Sequence, residues 1–336
     1  MPNVTQMPDG KWLFTATPLG TSQGVRTLYW TGSIAADGKF VTDANSSRPR
    51  LVELNSRDGF GLLSPTVYQH GGKTIAMGIV PDKLPSTSNW RLGWAHCYSL
   101  PREWSLASDG SLVQKPYEAL TGLRSDTRFS KSDFSLSGSM PLDPVNGRSA
   151  EICATFEVGT STFGFKIFKT ASAEAVISYT PSTSELTVDF SALPRLTNDG
   201  GVYDGVYRCY LPERLAIGSE MKLNIFIDHS ILDIFVNDKW ATSIRVFPTE
   251  ADANGIEAYS TAATKVKDLK AWNLSVDASQ SSIDGIWSDS DSQESPYVDV
   301  YNLQGVKILA NVLRETATDN LPGGLYIVGN RKVLVR

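Results

Sequence analysis

Apolar and polar residues alternate in short segments along almost the whole chain, and helical periodicity is nearly absent. The clearest segments are 27–34, 73–80, 151–158, 163–169, 185–190, 222–238 and 266–274. A period of two in residues rich in Val, Ile, Thr, Tyr and Phe predicts strands that bury one face. Such segments, separated by turn residues at intervals of about ten residues, predict an all-β protein of the sandwich or propeller class.

Dipeptides that contain glycine lie between many of these segments. Four of them are Asp9-Gly10, Asp37-Gly38, Gly71-Gly72 and Asp109-Gly110. Glycine adopts the positive φ of a tight reversal without a steric penalty, so these positions predict hairpin turns.

A polar stretch near the C-terminus, SVDASQSSIDGIWSDSDSQESP (275–296), interrupts the pattern. Its Ser and Asp content is too high for a packed core, which predicts a linker over 277–296. Short apolar segments around Gly-rich turns follow it, in VDVYNLQGVKIL and LPGGLYIVGNRKVLVR. These segments predict a separate small β-domain over 297–336.

Length and charge narrow the classes of function. A chain of 336 residues holds two or three domains at the usual ~100–200 residues each. Its net charge is −5 and its 31 basic residues form no run, which argues against a nucleic-acid partner. The N-terminus lacks the pattern of a signal peptide, and no apolar run reaches the ~18 residues of a membrane-spanning segment.

The cysteines and histidines are too few and too far apart for a disulfide framework or a metal site. They are Cys97, Cys153 and Cys209, together with His70, His96 and His229. We therefore predict buried thiols, no metal and no other cofactor.

Two long stretches resemble one known family. KLNIFIDHSILDIFVNDKWATSIRVFP (222–248) and WRLGWAHCYSLPREWSLASDGSLVQKPYEAL (90–120) are similar to the C-terminal sandwich of family 32 glycoside hydrolases and to the segment before it. Upstream, TLYWTGSIAADGKFVTD (27–43) and RDGFGLLSPTVYQHGGKTIAMGIV (57–80) resemble strands of the family's propeller. The resemblance covers about residues 2–274 in order.

This resemblance implies a retaining β-fructosidase that hydrolyses fructan or sucrose with two carboxylates about 5 Å apart. The family's Asn-Asp-Pro-Asn-Gly, Arg-Asp-Pro and Glu-Cys-Pro motifs are not present in full, so we expect no catalytic residue here. Pro2-Asn3-Val4 aligns with the residues after the Glu of the third motif, so the acid/base Glu is expected immediately before Met1.

The implied domains are a partial five-bladed propeller over 1–128, with exposed edges, and a β-sandwich over 129–276. The missing N-terminal half of the propeller is a candidate partner. Two other hypotheses stay open: a non-catalytic carbohydrate-binding sandwich protein, and one half of a hydrolase split over two chains.

Four residues are candidates for substrate contact: Asp58, Ser64, Asp82 and Trp90. Asp58 and Ser64 occupy the place of the family's Asp-Phe-Tyr-Ala segment, Asp82 ends a strand, and an exposed Trp face can stack on a sugar. Other polar and aromatic residues receive structural interpretations: Asp228 and Asp233 as solvated turn residues, Glu103 as the partner of Arg102 or Arg91, and Trp94 and Trp104 as core residues.

The C-terminal tail, residues 297–336, resembles a different kind of domain. VDVYNLQGVKI and LPGGLYIVGNRKVLVR are similar to the C-terminal sorting-type domain of secreted Bacteroidetes proteins. This resemblance implies that the parent protein is secreted, periplasmic or at the cell surface.

Overall fold

In the computed structural model the chain is built almost entirely from antiparallel strands. The structure describes residues 2–18, 26–56, 61–82, 84, 89–90, 93–194, 205–275, 296–302, 307–329 and 331–335. It divides into two compact units, Met1–Ser275 and Val276–Arg336. The predicted linker over 277–296 lies outside the described residues except for Pro296.

The first sheet is formed by the N-terminal strands in the order β1-β2-β3-β4, with β5 paired to β3. These strands are β1 (Pro2–Gln6), β2 (Trp12–Ala16), β3 (Leu28–Ile34), β4 (Phe40–Thr42) and β5 (Arg50–Leu51). Gly10 and Gly38 have φ of 85° and 80°, which confirms the predicted turns at these positions.

The second sheet has the order β11-β10-β8-β7, with β9 paired to β8. Its strands are β7 (Leu63–His70), β8 (Lys73–Val80), β9 (Cys97–Tyr98), β10 (Arg102–Leu106) and β11 (Leu112–Pro116). Short 3-10 turns occur at Ala44–Ser46, Glu118–Leu123 and Arg314–Thr316.

One hydrophobic cluster holds the first and second sheets face to face. Its buried members are Met7, Leu13, Tyr29, Val52, Ala76, Trp104 and Leu112. Trp104 is 1% exposed, and its indole N–H donates to Gln114 Oε1 at 2.9 Å, which satisfies the polar atom of this large side chain. The prediction that Trp104 packs in the core is confirmed.

An eleven-stranded sheet follows and folds over itself into two layers. Its strands are β6 (Asn55–Ser56), β12 (Arg124–Pro141), β13 (Ser149–Glu157), β14 (Phe163–Lys169), β15 (Ala175–Thr180), β16 (Glu185–Asp189), β17 (Val206–Tyr210), β18 (Glu220–Asp228), β19 (Ile231–Val236), β20 (Trp240–Arg245) and β21 (Gly255–Leu274). The first part of β21 pairs with β14 and its second part with β13. One long strand thus passes from layer to layer, which makes this sheet a β-sandwich.

The sandwich core lies between the two layers. Phe156 on β13 stacks on Phe163 of β14 with ring centroids 4.4 Å apart, and Phe165 meets Phe156 edge-on at 5.9 Å. All three side chains are fully buried. The short strand β6 extends the edge of the sandwich next to β17, so the segment after the first sheet is part of the sandwich.

The C-terminal unit contains a four-stranded sheet in the order β23-β22-β24-β25. Its strands are β22 (Tyr297–Asn302), β23 (Lys307–Leu313), β24 (Gly324–Val328) and β25 (Arg331–Val335). Its small core is formed by Val298, Val300, Ala317 and Val328.

The prediction that all three thiols are buried is wrong for Cys97 and holds only in part for Cys153. Cys97 is exposed because it lies on the two-residue edge strand β9, whereas Cys153 is partly buried and Cys209 is buried. Burial, together with the charge of Glu151, raises the pKa of the Cys153 thiol to about 12, so this thiol stays protonated at neutral pH.

Candidate functional site

The candidate substrate residues that the structure describes, Ser64, Asp82 and Trp90, lie at one end of the first two sheets. Pro2 pairs with Ala16 at this end of the first sheet, and Leu63 pairs with Ile79 in the second. Asn3 Nδ2 donates to Pro65 O at 3.4 Å and so joins β1 to β7 there. We call this end, where β1 and β7 begin and β2 and β8 end, the strand-end surface.

A chain of hydrogen bonds fixes Ser64 at the strand-end surface. The Ser64 N–H donates to Thr17 Oγ1 at 2.9 Å, Thr17 and Thr27 hydroxyls lie 2.7 Å apart, and Thr27 Oγ1 donates to Leu62 O at 2.6 Å. Ser64 has a φ of 46°, a strained value for a residue with a Cβ atom. The contacts from the first sheet hold it in this conformation at the start of β7.

Asp82 follows β8, and its carboxylate organises the loop around it. The carboxylate accepts hydrogen bonds from the N–H groups of Leu84 (3.0 Å) and His96 (2.7 Å), and His96 Nδ1 lies 3.1 Å from Oδ2. Asp82 is 0% exposed. A direct contact with a sugar stays a prediction for Asp82, and the geometry supports a positioning role for its buried carboxylate.

The two tryptophans of this loop differ in exposure. Trp90 is 88% exposed, as a stacking platform requires, and substrate contact stays a prediction for it. Trp94 was predicted in the core, but it is 39% exposed and only flanks the sandwich, 6.1 Å from the ring of Phe247. Arg245 lies 5.3 Å from the Trp94 ring centroid and covers part of one face. Asp58 lies outside the described residues.

A buried cluster of charges joins both sheets to the sandwich. Arg102 on β10 donates from Nη1 to Glu53 Oε1 at 2.8 Å and from Nη2 to Asp233 Oδ1 at 2.7 Å. Asp233 lies on β19 of the sandwich, and Glu53 follows the first sheet. Side chains of Arg102 and Asp233 are 0% exposed, and that of Glu53 is 5% exposed. We call Arg102, Glu53, Asp233 and Ser243 the junction cluster.

This cluster corrects the prediction for Asp233, which is no solvated turn residue. It stands in the middle of ILDIFV, where all six residues are buried. A charged residue between apolar neighbours on both sides is the sequence signal that indicates a buried ion pair here. Asp228 fits its prediction, since its side chain is 48% exposed beside the turn and lies 2.9 Å from His229 Nδ1.

Glu103 forms ion pairs, as predicted, but with different cations. It lies 3.4 Å from Lys73 Nζ and 3.3 Å from Lys115 Nζ. Neighbouring residues of a strand point to opposite faces, so Arg102 and Glu103 cannot pair. Arg91 lies outside the described residues.

The hydrogen bonds of the junction cluster require one proton more than its ionised side chains provide. Ser243 Oγ accepts from Arg102 Nη2 at 2.6 Å and lies near both carboxylates, 3.0 Å from Glu53 Oε1 and 2.5 Å from Asp233 Oδ1. A serine hydroxyl has one proton to donate, so one carboxyl group must be protonated for both contacts to be hydrogen bonds. Burial raises the pKa of Glu53 above its usual 4.5; the charge of Arg102 opposes this shift and that of Asp233 adds to it. Burial thus favours the protonated form of Glu53, whereas the Arg102 charge and the Ser243 N–H favour the ionised form.

The stability of the chain should therefore depend on pH through Glu53. Its folded-state pKa lies above that of the unfolded chain, so its stabilising contribution is complete below about pH 4.5 and is lost as the pH rises through the folded-state pKa. One proton contributes at most about 1.4 kcal/mol per pH unit. Urea unfolding of the wild type and Glu53→Gln from pH 5 to pH 8 should show a free-energy advantage of the wild type that shrinks with pH. A difference that stays constant over this range would rule out proton uptake by Glu53.

No three His, Cys, Asp or Glu side chains of the described residues come together in a way that could hold a metal ion. None of the helices found in the described parts of the chain has the length and apolar character needed to cross a membrane.

One family model matches the sandwich region. Residues 117–273 match the family model "Glycosyl hydrolases family 32 C terminal". This region is similar to the C-terminal domain of family 32 glycosyl hydrolases. It contains β12 to β21, and therefore the Asp233 and Ser243 side of the junction cluster, whereas Arg102 and Glu53 lie before it.

Similarity to two curated hydrolases extends beyond this domain. The chain is 29% identical over 246 residues to the sucrose-6-phosphate hydrolase of Staphylococcus xylosus, covering 70% of this chain and 46% of that protein. It is 26% identical over 316 residues to a levanase of Bacillus sp. (strain L7), covering 87% of this chain and 32% of the levanase. The chain thus spans about half or less of the length of these relatives.

The fold is also shared with a solved structure. The exo-inulinase of Aspergillus awamori superposes with a TM-score of 0.64 at 18% identity, over 82% of this chain and 56% of that one. The 157 residues of the family 32 match, from 117 to 273, make up less than half of the 336. The fold similarity therefore includes sheets that precede the matched domain.

Proposed function

We propose that this chain is the C-terminal portion of a retaining β-fructosidase that hydrolyses fructan or sucrose. The observation that carries the proposal is the family 32 match over residues 117–273 together with a fold similarity that reaches well before it. Relatives named sucrose-6-phosphate hydrolase and levanase support fructosyl substrates.

In this proposal the first and second sheets are two neighbouring blades of a five-bladed propeller. Neighbouring blades pack face to face, as the two sheets do through Leu13, Ala76 and Trp104. The other face of the first sheet supports the existence of a further blade. Its aromatic residues Phe14 and Trp30 (ring centroids 5.4 Å apart) are only partly buried, and Val4 beside them is 45% exposed. A sheet from the N-terminal half of the propeller would cover this apolar face.

The residues of this chain at the strand-end surface would position and bind substrate, while the reacting carboxylates come from the N-terminal half. A retaining glycosidase needs a nucleophile and an acid/base with oxygens facing the sugar. Asp82, the described carboxylate at this surface, has both oxygens occupied by its own loop. Pro2, which would follow the acid/base Glu closely, starts β1 at this same surface.

The experiment that tests this proposal is to sequence the genomic DNA directly upstream of the Met1 codon and express the whole reading frame. We expect a Glu codon in frame before Met1, an Asn-Asp-Pro-Asn-Gly motif further upstream, and fructose release from sucrose, inulin or levan. The chain from Met1 to Arg336 by itself is the matched control and should release none. Replacing the upstream Glu by Gln should abolish release. A reading frame without these motifs, or a product that releases no fructose, would overturn the proposal.

We further propose that the parent protein is exported. Support comes from the resemblance of the tail to sorting-type domains and from its folding as a unit with its own core of Val298, Val300 and Val328. Fractionation of cells that express the whole reading frame tests this point, and a product found only in the cytoplasm would contradict it.

A further inference from the structure

Each carboxyl group of the junction cluster bonds Arg102 with one oxygen and a distant backbone N–H group with the other. Glu53 Oε1 accepts from Arg102 Nη1 at 2.8 Å, and Glu53 Oε2 accepts from the N–H of Leu62 at 3.1 Å. Asp233 Oδ1 accepts from Arg102 Nη2 at 2.7 Å, and Asp233 Oδ2 accepts from the N–H of Leu100 at 2.8 Å. The cluster is therefore bonded to the backbone at two separate points.

The first of these N–H groups lies two positions before Ser64. Leu62 is 1% exposed and precedes β7, so its N–H needs an acceptor outside the strand, which is Glu53. The carbonyl group of Leu62 accepts from Thr27 Oγ1 at 2.6 Å. Both backbone polar groups of Leu62 are thus fixed just before the chain reaches the strand-end surface.

The second N–H group lies at the end of the segment that holds Asp82. Leu100 stands between β9 and β10, and β9 pairs with the end of β8. His96, which directly precedes β9, donates its N–H to the Asp82 carboxylate at 2.7 Å. One end of this short segment is therefore bonded to Asp82 and the other end to Asp233 of the sandwich.

Both segments also contact the same residue of β8. The Leu62 side chain occupies the space where a Cβ atom of residue 78 would lie, and glycine stands at this position. Gly78 donates its N–H to Ser99 Oγ at 3.2 Å and accepts from the N–H of Ser99 at 2.8 Å. Because protein interiors are close-packed, a shift of one segment is transmitted to the other through Gly78.

A buried polar cluster does here what an apolar contact could not do. Burying an ion pair costs desolvation energy, and apolar side chains of the same volume often hold a junction as well. They offer no acceptor, however, to a buried N–H group outside a strand. A fixed carboxyl oxygen accepts from one direction and so determines where that part of the backbone lies.

We propose that Glu53 and Asp233 are positioning residues for the strand-end surface. Through their backbone bonds they hold segment 61–64, which ends at Ser64, and segment 96–100, which begins at the partner of Asp82. Asp233 belongs to the sandwich, which therefore takes part in shaping the strand-end surface from outside it. That this surface binds a fructosyl substrate rests on the proposed function.

The first test is amide hydrogen exchange of the purified 336-residue chain and two variants. A Gln or Asn side chain has one oxygen, so it cannot accept from Arg102 and from the backbone N–H at once. We expect Glu53→Gln to speed exchange in segment 61–64 about tenfold, as the loss of one buried hydrogen bond predicts. Asp233→Asn should do the same in segment 96–100. Exchange within β14 reports opening of the sandwich core, so the acceleration in each segment should exceed that in β14.

Glu151→Gln is the matched control. Glu151 is likewise a buried glutamate, 1% exposed, that accepts from Arg124 Nε at 2.6 Å and from Arg124 Nη2 at 2.8 Å. Its partners among the described residues, Arg124, Cys153 and Asn224, belong to neither segment. The control should leave exchange of both segments unchanged relative to β14. If the two junction variants speed exchange of the segments no more than that of β14, the inference is wrong.

The second test is fructose release by the whole reading frame, at a temperature where thermal melts show every variant to be folded. Glu53→Gln and Asp233→Asn should each lower kcat/KM about tenfold and raise KM, because a misplaced substrate surface binds less well. Glu151→Gln should leave both constants unchanged. Loss of folded protein alone would lower the apparent kcat at constant KM, so an unchanged KM in both junction variants would overturn the inference.

The two proposals can fail separately. A wild-type reading frame that releases no fructose would contradict the proposed function, and hydrogen exchange of the 336-residue chain would then decide the inference by itself. Fructose release by the wild type, with exchange in both segments unaffected by Glu53→Gln and Asp233→Asn, would leave the proposed function in place and overturn the positioning role.

Discussion

Replacing Arg102 by Met should lower the free energy of unfolding by about 3–5 kcal/mol. The guanidinium holds Glu53 at 2.8 Å and Asp233 at 2.7 Å, and both carboxyl groups are buried. Without Arg102, the negative charge of these two groups would stay buried with no cation, and the contact that Arg102 makes between the sheets and the sandwich would be lost. Urea unfolding at pH 7, followed by tryptophan fluorescence, measures the loss.

The control is Lys39→Met, which breaks the exposed ion pair with Asp37. Side chains of this pair are 80% and 53% exposed, so its removal should change stability by less than about 1 kcal/mol. A triple variant, Arg102→Met with Glu53→Leu and Asp233→Leu, should recover part of the loss, because no charge then remains buried without a partner. If Arg102→Met costs no more than Lys39→Met, the junction cluster does not hold the sheets to the sandwich.

Phe156→Ala should also cost about 3–5 kcal/mol. Phe156 is 0% exposed and packs between Phe163 (4.4 Å) and Phe165 (5.9 Å), which belong to the opposite layer. The shortened side chain leaves a cavity between two layers that β21 ties together, so the layers cannot close on it freely. The same urea unfolding experiment measures this loss.

Tyr68→Ala is the control for Phe156→Ala, since it removes a similar ring that is 64% exposed. A surface change of this kind is usually within about 0.5 kcal/mol. Equal losses for the two variants would mean that the two layers do not form a common core in solution.

The strands were the most predictable part of the fold. Predicted segments 73–80 and 163–169 coincide with β8 and β14, and the glycines of the predicted turns at 10, 38 and 110 have positive φ. The alternation of apolar and polar residues and the choice of turn residues depend on near neighbours in the chain. They can therefore be recognised without knowing which other segments pack against them. The segment 222–238 was predicted to be a hairpin with its turn at Asp228-His229-Ser230, and the structure confirms it: β18 ends at Asp228, β19 begins at Ile231, and His229 has a positive φ.

The junction cluster was not predictable as a site, although its parts stood in recognised stretches. Arg102 and Asp233 are 131 positions apart, and their contact exists because β10 and β19 meet at the junction of the second sheet and the sandwich. Trp94 and Trp104 are ten residues apart in one stretch, yet only Trp104 is buried. Which of two similar residues is covered depends on the neighbouring layer, and local pattern carries no information about that layer.

The sequence by itself determined that this protein is all-β and where most of its strands and turns lie, and it showed a resemblance to family 32 glycosyl hydrolases. These properties follow from side-chain alternation, turn residues and short sequence motifs, all of which involve residues that are close together in the chain. Only the tertiary structure decided that Arg102, Glu53 and Asp233 share one buried cluster. Packing between sheets brings distant residues together, and burial then sets their charge state and exposure.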